Sequence, residues 1–321
     1  MVYLIFLLAA VVVVFAAVYL NRFGDVISKK STLSGAMVGT FLIAGATSLP
    51  ELTTSLTAVV IDNPDIAVGN MLGSNVFNLL ILASVDIIYR NRRLFQRVSH
   101  QENIPSAVVG LVFLGILIGA MLLPSTINVL GVGIEMLLIV GLYFVVVKFL
   151  SIGEEEEDEE EVITKDYTLR TAVIGFIISA LVVFISGSAL SVSGDQLAQM
   201  TGMNSSFVGS FLIAASTSLP ELVTVLAAFK LANYNMAIGS ILGSNLFNVQ
   251  LLVLTDLLYR EGPILAAVGT SHMYIALLGV LMTLVIIYLL KRPQTNLSQW
   301  RYAAPSLVIT VLYFVVTIAL F

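Results

Sequence analysis

The sequence predicts an all-α integral membrane protein: ten transmembrane helices arranged as two inverted five-helix repeats, with broken helices at the centre. Three observations lead there. The chain is 58% hydrophobic and only 11% charged, with a mean hydropathy of +1.01, too apolar for a soluble fold and rich in runs long enough to span a bilayer. Residues 39–90 and 209–260 are two copies of one stretch, aligned without a gap at a constant offset of 170. About half of the paired positions are identical, most densely at the polar ones, where chance matching of apolar letters cannot produce agreement. Third, the basic residues sort to one side of a ten-span topology.

In order, spans are expected near 2–20, 33–61, 65–89, 105–123 and 127–149, then near 169–190, 204–231, 235–258, 270–291 and 303–320. The first span lacks a basic leader and a small-residue cleavage site, and reads as a retained helix. Residues 1–150 make the first half, 151–168 a linker and 169–321 the second half, each half carrying its copy of the duplicated stretch in its second and third spans. An odd number of spans per half inserts the second half upside down relative to the first. The linker holds an unbroken run of carboxylates, 154–161. These repel one another and bury no apolar surface, so a solvated connector is expected.

With the N-terminus outside, Arg22, Lys29, Lys30, Arg90, Arg92, Arg93, Arg97, Lys148, Lys165, Arg170, Lys230, Lys291, Arg292 and Arg301 all fall on the cytoplasmic side, and only Arg260 falls outside. The positive-inside rule therefore places both termini outside the cell membrane and the acidic linker in the cytoplasm. Cysteine is absent, which removes disulfides and thiolate metal sites from consideration.

The duplicated stretch carries the chemistry. In ATSLPE, 46–51, proline removes a backbone donor and clashes with the preceding turn, so the helix should break near Thr47–Leu49 and restart at Pro50. Irregular backbone at membrane depth is tolerated only where it is buried in protein or lines a cavity, and there its carbonyls can ligate a cation. Glu51, Thr47 and Thr54 share one helical face, and Thr217, Pro220, Glu221 and Thr224 repeat the pattern. In the following span Asn70, Ser74 and Asn78 recur every four residues, as do Ser240, Ser244 and Asn248, while Gly69/Gly73 and Gly239/Gly243 have the spacing that lets helices approach closely.

Two inverted copies would bring two glutamates, hydroxyls, amides and carbonyls together near the midplane, an all-oxygen set that suits Ca²⁺ or Na⁺ rather than a soft metal. A single Ser, Thr or Asn in a span usually serves as interhelical glue. A glutamate at the bilayer centre costs about 3 kcal/mol or more to insert, so a matched pair without a task is not expected. Two glutamates sharing a buried site repel, so the site should bind cations and compete with protons.

The doubled TSLPE followed by G-x-x-x-G-S-N-x-x-N is similar to the α-repeats of the sodium/calcium exchanger family, within the cation/calcium antiporter superfamily, and the five-plus-five layout resembles its prokaryotic ten-helix type. The resemblance implies antiport of Ca²⁺ against Na⁺ by alternating access, with helices one and six sliding over a fixed core. It implies a Ca²⁺ site at Glu51 and Glu221 with the carbonyls of Thr47 and Thr217. One flanking Na⁺ site would use Ala44, Thr47, Ser48, Glu51 and Ser74, the other Ala214, Thr217, Ser218, Glu221 and Ser244, with Asn78 and Asn248 closing the centre. Two departures from the family pattern stand out: Asn248 stands where prokaryotic relatives often have Asp, and Ala46 and Ser216 stand where Gly is usual before TSLPE.

A proton-coupled antiporter of Ca²⁺ or another divalent cation is the alternative. A channel needs a continuous polar path where the sequence supplies one midplane cluster, and an intramembrane enzyme lacks a nucleophile motif. The expected partners are Ca²⁺, Na⁺ and the lipid bilayer, with no cofactor and no nucleic acid, for a monomeric chain that is not an enzyme. Asp86 and Asp256 are matched but sit beside Tyr89–Arg90 and Tyr259–Arg260, which reads as interfacial anchoring. Glu135 could face the outer vestibule, and His100 and His272 belong to no metal constellation.

Overall fold

The computed structural model describes residues 1–30, 45–123, 128–129, 131–150, 167–293 and 298–320. Helix α1 is Val2–Lys30. Residues 45–47 end a helical stretch at Ser48, and α2, Leu49–Val60, restarts with Pro50 in its first turn. Then come α3, Pro64–Ile88, α4, His100–Leu122, and α5, Ile134–Leu150. Beyond the linker follow α6, Leu169–Thr201, α7, Ser205–Lys230, α8, Tyr234–Leu258, α9, Ser271–Lys291, and α10, Gln299–Leu320. Helix α7 stops at Ser218 and resumes as a second limb, Leu219–Lys230. Among the described residues eight helices, all but α2 and α5, are long and apolar enough to cross a membrane, and Ile134–Val146 within α5 is a shorter apolar helix. The chain is a multi-pass membrane protein. The first part of the expected second span, 33–44, lies outside the described residues, as do Lys165 and the acidic run 154–161.

Three boundaries differ from the sequence expectation. Helix α1 runs on from residue 20 to Lys30, and α6 runs on from 190 to Thr201. At 29 and 33 residues they reach about 44 and 50 Å, beyond a hydrocarbon core of about 30 Å. Hydropathy marks where a helix leaves lipid, whereas the helix itself ends only at a breaker. Gly24 alone costs about 1 kcal/mol and does not break α1, which packs along α6, and α6 stops where Gly202 takes φ +74° as its C-cap. The expected span 127–149 begins as a hairpin, Asn128–Val129 paired antiparallel with Val132–Gly133, turning at Gly131 with φ +89°. Closely spaced glycines favour the turn over a helix start.

Helices α3 and α8 form the core. Inside the fold, 78% of the apolar window of α3 and 61% of that of α8 are buried, against 22% for α1, α4 and α10. The two pack on each other. Helix α2 lies against α3, the second limb of α7 against α8, and α4, α9 and α10 close one side, while α1 and α6 lie together and reach α2 and α7. The duplication is visible in the joints. Asn63 Oδ1 caps α3 by accepting from Ile66 N at 3.1 Å, and Asn233 Oδ1 caps α8 by accepting from Met236 N at 3.0 Å. The preceding residues, Asp62 and Ala232, share a left-handed backbone with φ 57° and 59°.

Candidate functional site

Each break falls where the proline pattern puts it, at Ser48 (φ −96°, ψ 9°) and Ser218 (φ −89°, ψ 2°). The first limb of α7 enters its break through a π-helical turn, Val208–Ile213. That wide turn carries Ser210 against α3, where a Cβ on Gly73 would overlap the Ser210 backbone and one on Gly69 would come within 2.9 Å of Ser210 Oγ. The glycine spacing thus lets the break of the second half press directly on the polar stripe of the first.

Glu51 and Glu221, each at the start of the helix after its break, are both buried. Ser218, three residues before Glu221, reaches the Glu51 carboxylate, so the second break lies against the first glutamate. Glu51 Oε1 accepts from Ser218 Oγ at 3.4 Å, across the halves, and the hydroxyls of Thr217 and Ser74 also face this carboxylate. Ser74 Oγ lies 3.4 Å from Thr217 Oγ1, which donates to Asn70 Oδ1 at 3.2 Å. Asn70 in turn donates to Glu51 O at 3.1 Å, Thr54 Oγ1 at 2.6 Å and Ser55 Oγ at 3.0 Å.

Asn78 and Asn248 are buried and cross to the opposite core helix. Asn78 Nδ2 donates to Asn245 Oδ1 at 2.9 Å, and Asn248 Nδ2 to Asn75 Oδ1 at 3.1 Å. Six buried oxygens on this framework have no hydrogen-bond partner: Ser48 Oγ, Glu51 Oε2, both carboxylate oxygens of Glu221, Asn78 Oδ1 and Asn248 Oδ1. Buried acceptors are ordinarily paired, so a convergence of unpaired ones marks a place built for a ligand that brings positive charge. Two carboxylates balance one divalent cation, and the neutral oxygens extend the set in the manner of a hard-ion site.

Among the other expected residues, Ser244 is buried on α8 and Thr47 is half-buried on the first-half break. The Ala214 carbonyl accepts from Ser218 N at 3.0 Å and Thr217 Oγ1 at 3.2 Å. Ala44 lies outside the described residues. Asn75 and Asn245 were legible only as letters of the repeat motif, since every bond their side chains make is to the opposite core helix. Asn70 belongs to the anticipated polar stripe but ties both halves together, which spacing alone did not reveal.

The matched aspartates anchor helix ends. Asp86 accepts from Tyr302 Oη and Ser306 Oγ, both at 2.6 Å, tying α3 to α10. Asp256 accepts from Ile264 N at 2.6 Å and Gly133 N at 3.0 Å, tying α8 to the hairpin. Glu135 is buried near Asp256 with Oε2 unpaired. His272 Nε2 lies 2.8 Å from Asp65 Oδ1, and His100 opens α4.

The model of the family described as sodium/calcium exchanger protein matches residues 1–151 and 171–321. The chain belongs to that family. It is similar to the inner membrane protein YrbG of Escherichia coli, 25% identical over 259 residues that make up 78% of each chain. By fold it is similar to the H⁺/Ca²⁺ exchanger CAX, with a TM-score of 0.71 at 14% identity over 99% of this chain and 85% of the other. It is likewise similar to the sodium-calcium exchanger NCX_Mj, with a TM-score of 0.58 at 22% identity over 98% of both chains. Members of one fold thus run on different coupling ions, and the family likeness establishes a cation/calcium exchanger without choosing between them.

Proposed function

We propose that this chain is a secondary active antiporter that exchanges Ca²⁺ for Na⁺ by alternating access. The observation that carries the reading is the set of unpaired buried oxygens on the two broken helices and the core helices they pack against, with Ser218 of one half and Ser74 of the other both beside Glu51. Glu51 and Glu221 hold Ca²⁺ with the Thr47 and Thr217 carbonyls. Ser48, Ser74 and Ala44 on one side, and Ser218, Ser244 and Ala214 on the other, supply the Na⁺ positions beside each glutamate. Asn78 and Asn248 present oxygens at the centre. Ca²⁺ and Na⁺ cannot share the two carboxylates, and this competition is what couples their movements.

The reading includes a ten-helix architecture of two inverted halves, 1–150 and 169–321, joined by a cytoplasmic acidic linker at 151–168, with both termini outside and a single chain as the working unit. Helices α1 and α6, which lie together and pack on the broken helices of both halves, are the elements that move across the α3–α8 core. Proton coupling is the second reading. One observation favours it: neither carboxylate oxygen of Glu221 has a hydrogen-bond partner, and a group so placed accepts a proton as readily as a cation.

Ca²⁺ uptake into proteoliposomes decides between them. Uptake driven by an outward Na⁺ gradient with the proton gradient collapsed is the expected result. Uptake that requires a proton gradient would keep the glutamates and overturn the Na⁺ positions at Ser48, Ser74, Ser218 and Ser244.

A further inference from the structure

The two helices of the core exchange a closed set of four hydrogen bonds that obeys the 170-residue offset. Asn75 Nδ2 donates to Asn245 O at 3.2 Å, and Asn245 Nδ2 donates to Asn75 O at 3.1 Å. The amide oxygens of the same two residues accept from the next turn of the opposite helix, Asn245 Oδ1 from Asn78 Nδ2 and Asn75 Oδ1 from Asn248 Nδ2. Every polar atom of the Asn75 and Asn245 side chains is thereby used within the protein, and both residues also line a crevice toward α4 and α9, with Ser106 and Thr283 on its far wall. They stand behind the unpaired oxygens.

An amide is planar and has two unlike ends. Left to rotate, Asn78 or Asn248 could present either an oxygen or an NH₂ group, and only the oxygen attracts a cation. Because each Nδ2 is engaged across the core, each Oδ1 points away from that bond, and both oxygens are buried and unpaired. Asn78 lies one turn from Ser74 on the same face of α3, and Ser74 reaches the Thr217 hydroxyl beside Glu51. We propose that Asn75 and Asn245 are positioning residues for the ion site: Asn75 sets the amide of Asn248, and Asn245 sets that of Asn78, so that both turn their oxygens to the cation. The inference rests on the exchanger reading given above. The crossing of the assignment, each helix orienting the other's ligand, makes the pair a lock between the halves as well.

The crossing also supplies the test. The apparent KM for Ca²⁺ is measured in proteoliposomes for the natural chain, for Asn75→Leu and Asn245→Leu, and for each combined with Asn248→Asp or Asn78→Asp. Leucine keeps the shape of asparagine and removes its hydrogen bonds. A carboxylate presents an oxygen whichever way it turns, so it no longer needs orienting. Asn75→Leu is expected to raise KM about tenfold with folding retained, an effect that vanishes in the Asn248→Asp background and persists with Asn78→Asp. Asn245→Leu should show the mirror pattern. Should a leucine variant fail to fold, the serine variant at the same position takes its place in the same scheme.

An active natural chain whose leucine variants keep KM within twofold, or lose affinity equally in both aspartate backgrounds, overturns the positioning role alone. A natural chain that takes up no Ca²⁺ under a Na⁺ or a proton gradient overturns the exchanger reading and this inference with it.

Discussion

The two copies of the duplicated stretch carry the same TSLPE and GSN letters, yet the structure holds their glutamates differently. Glu51 accepts a hydrogen bond from Ser218, and its helix is laced to α3 by Asn70, which reaches Glu51 O, Thr54 and Ser55. The second copy has Ser240 in place of Asn70 and Val225 in place of Ser55. Ser240 Oγ donates only to Ala237 O in its own helix, and neither oxygen of Glu221 is paired. Duplication has kept both glutamates and the crossed asparagines of the core, while the network around Asn70 has no counterpart at Ser240. One glutamate is tied into a polar network that spans both halves, whereas the carboxylate of the other makes no hydrogen bond.

Charge removal gives the largest expected effect. Glu51→Gln and Glu221→Gln should each lower Ca²⁺ uptake by about a hundredfold or more, because one remaining carboxylate cannot neutralise a buried divalent ion. The two should part in stability. In thermal unfolding without Ca²⁺, Glu221→Gln is expected to gain about 1–3 kcal/mol by removing a buried carboxylate that makes no hydrogen bond and that no cation balances, and Glu51→Gln to gain less. Equal gains would mean that the two glutamates are held alike.

Next is the seam between the halves. Gly73→Ala drives a Cβ into the Ser210 backbone and should cost about 2–3 kcal/mol, since neither helix can retreat without opening the core. Thermal unfolding in detergent measures it, and a loss under 0.5 kcal/mol would show that α3 and α7 are not in tight contact. Asn70→Leu should cost about 2 kcal/mol by removing the bonds that Asn70 makes to Thr217, Thr54, Ser55 and Glu51 O, whereas Ser240→Ala should stay within about 0.5 kcal/mol. A reversed order would place the tighter network in the second half.

The smallest effect is at the matched turns. Ala232→Gly relieves a left-handed alanine and should stabilise by about 0.5–1 kcal/mol, while Asp62→Gly should do less because aspartate tolerates that conformation better.

The all-helical membrane architecture and the two helix breaks were legible because their signals are local and repeated: long apolar runs, a proline two residues after a serine, and a second copy against which to check each position. What escaped were features whose cause lies in another helix. The π-helical turn at Val208–Ile213 exists to bring Ser210 against Gly73 and Gly69, and no residue within VGSFLI announces it. The hairpin at 128–133 interrupts an apolar run that hydropathy reads as continuous. In the proposed site, charge and spacing single out Glu51, Glu221, Asn78 and Asn248, whose types are costly in a membrane. Asn75 and Asn245 escaped because a residue that orients a ligand shows its role only in the hydrogen bonds it makes.

The central claim is that both breaks build one ion site. Equilibrium binding of ⁴⁵Ca²⁺ to the purified chain in detergent, with and without Na⁺, tests it for the natural sequence and for Glu51→Gln and Glu221→Gln. One Ca²⁺ per chain, displaced by Na⁺ and lost in either variant, is the predicted result. Two Ca²⁺ per chain, with one surviving each substitution, would mean separate sites in the two halves and would contradict the account.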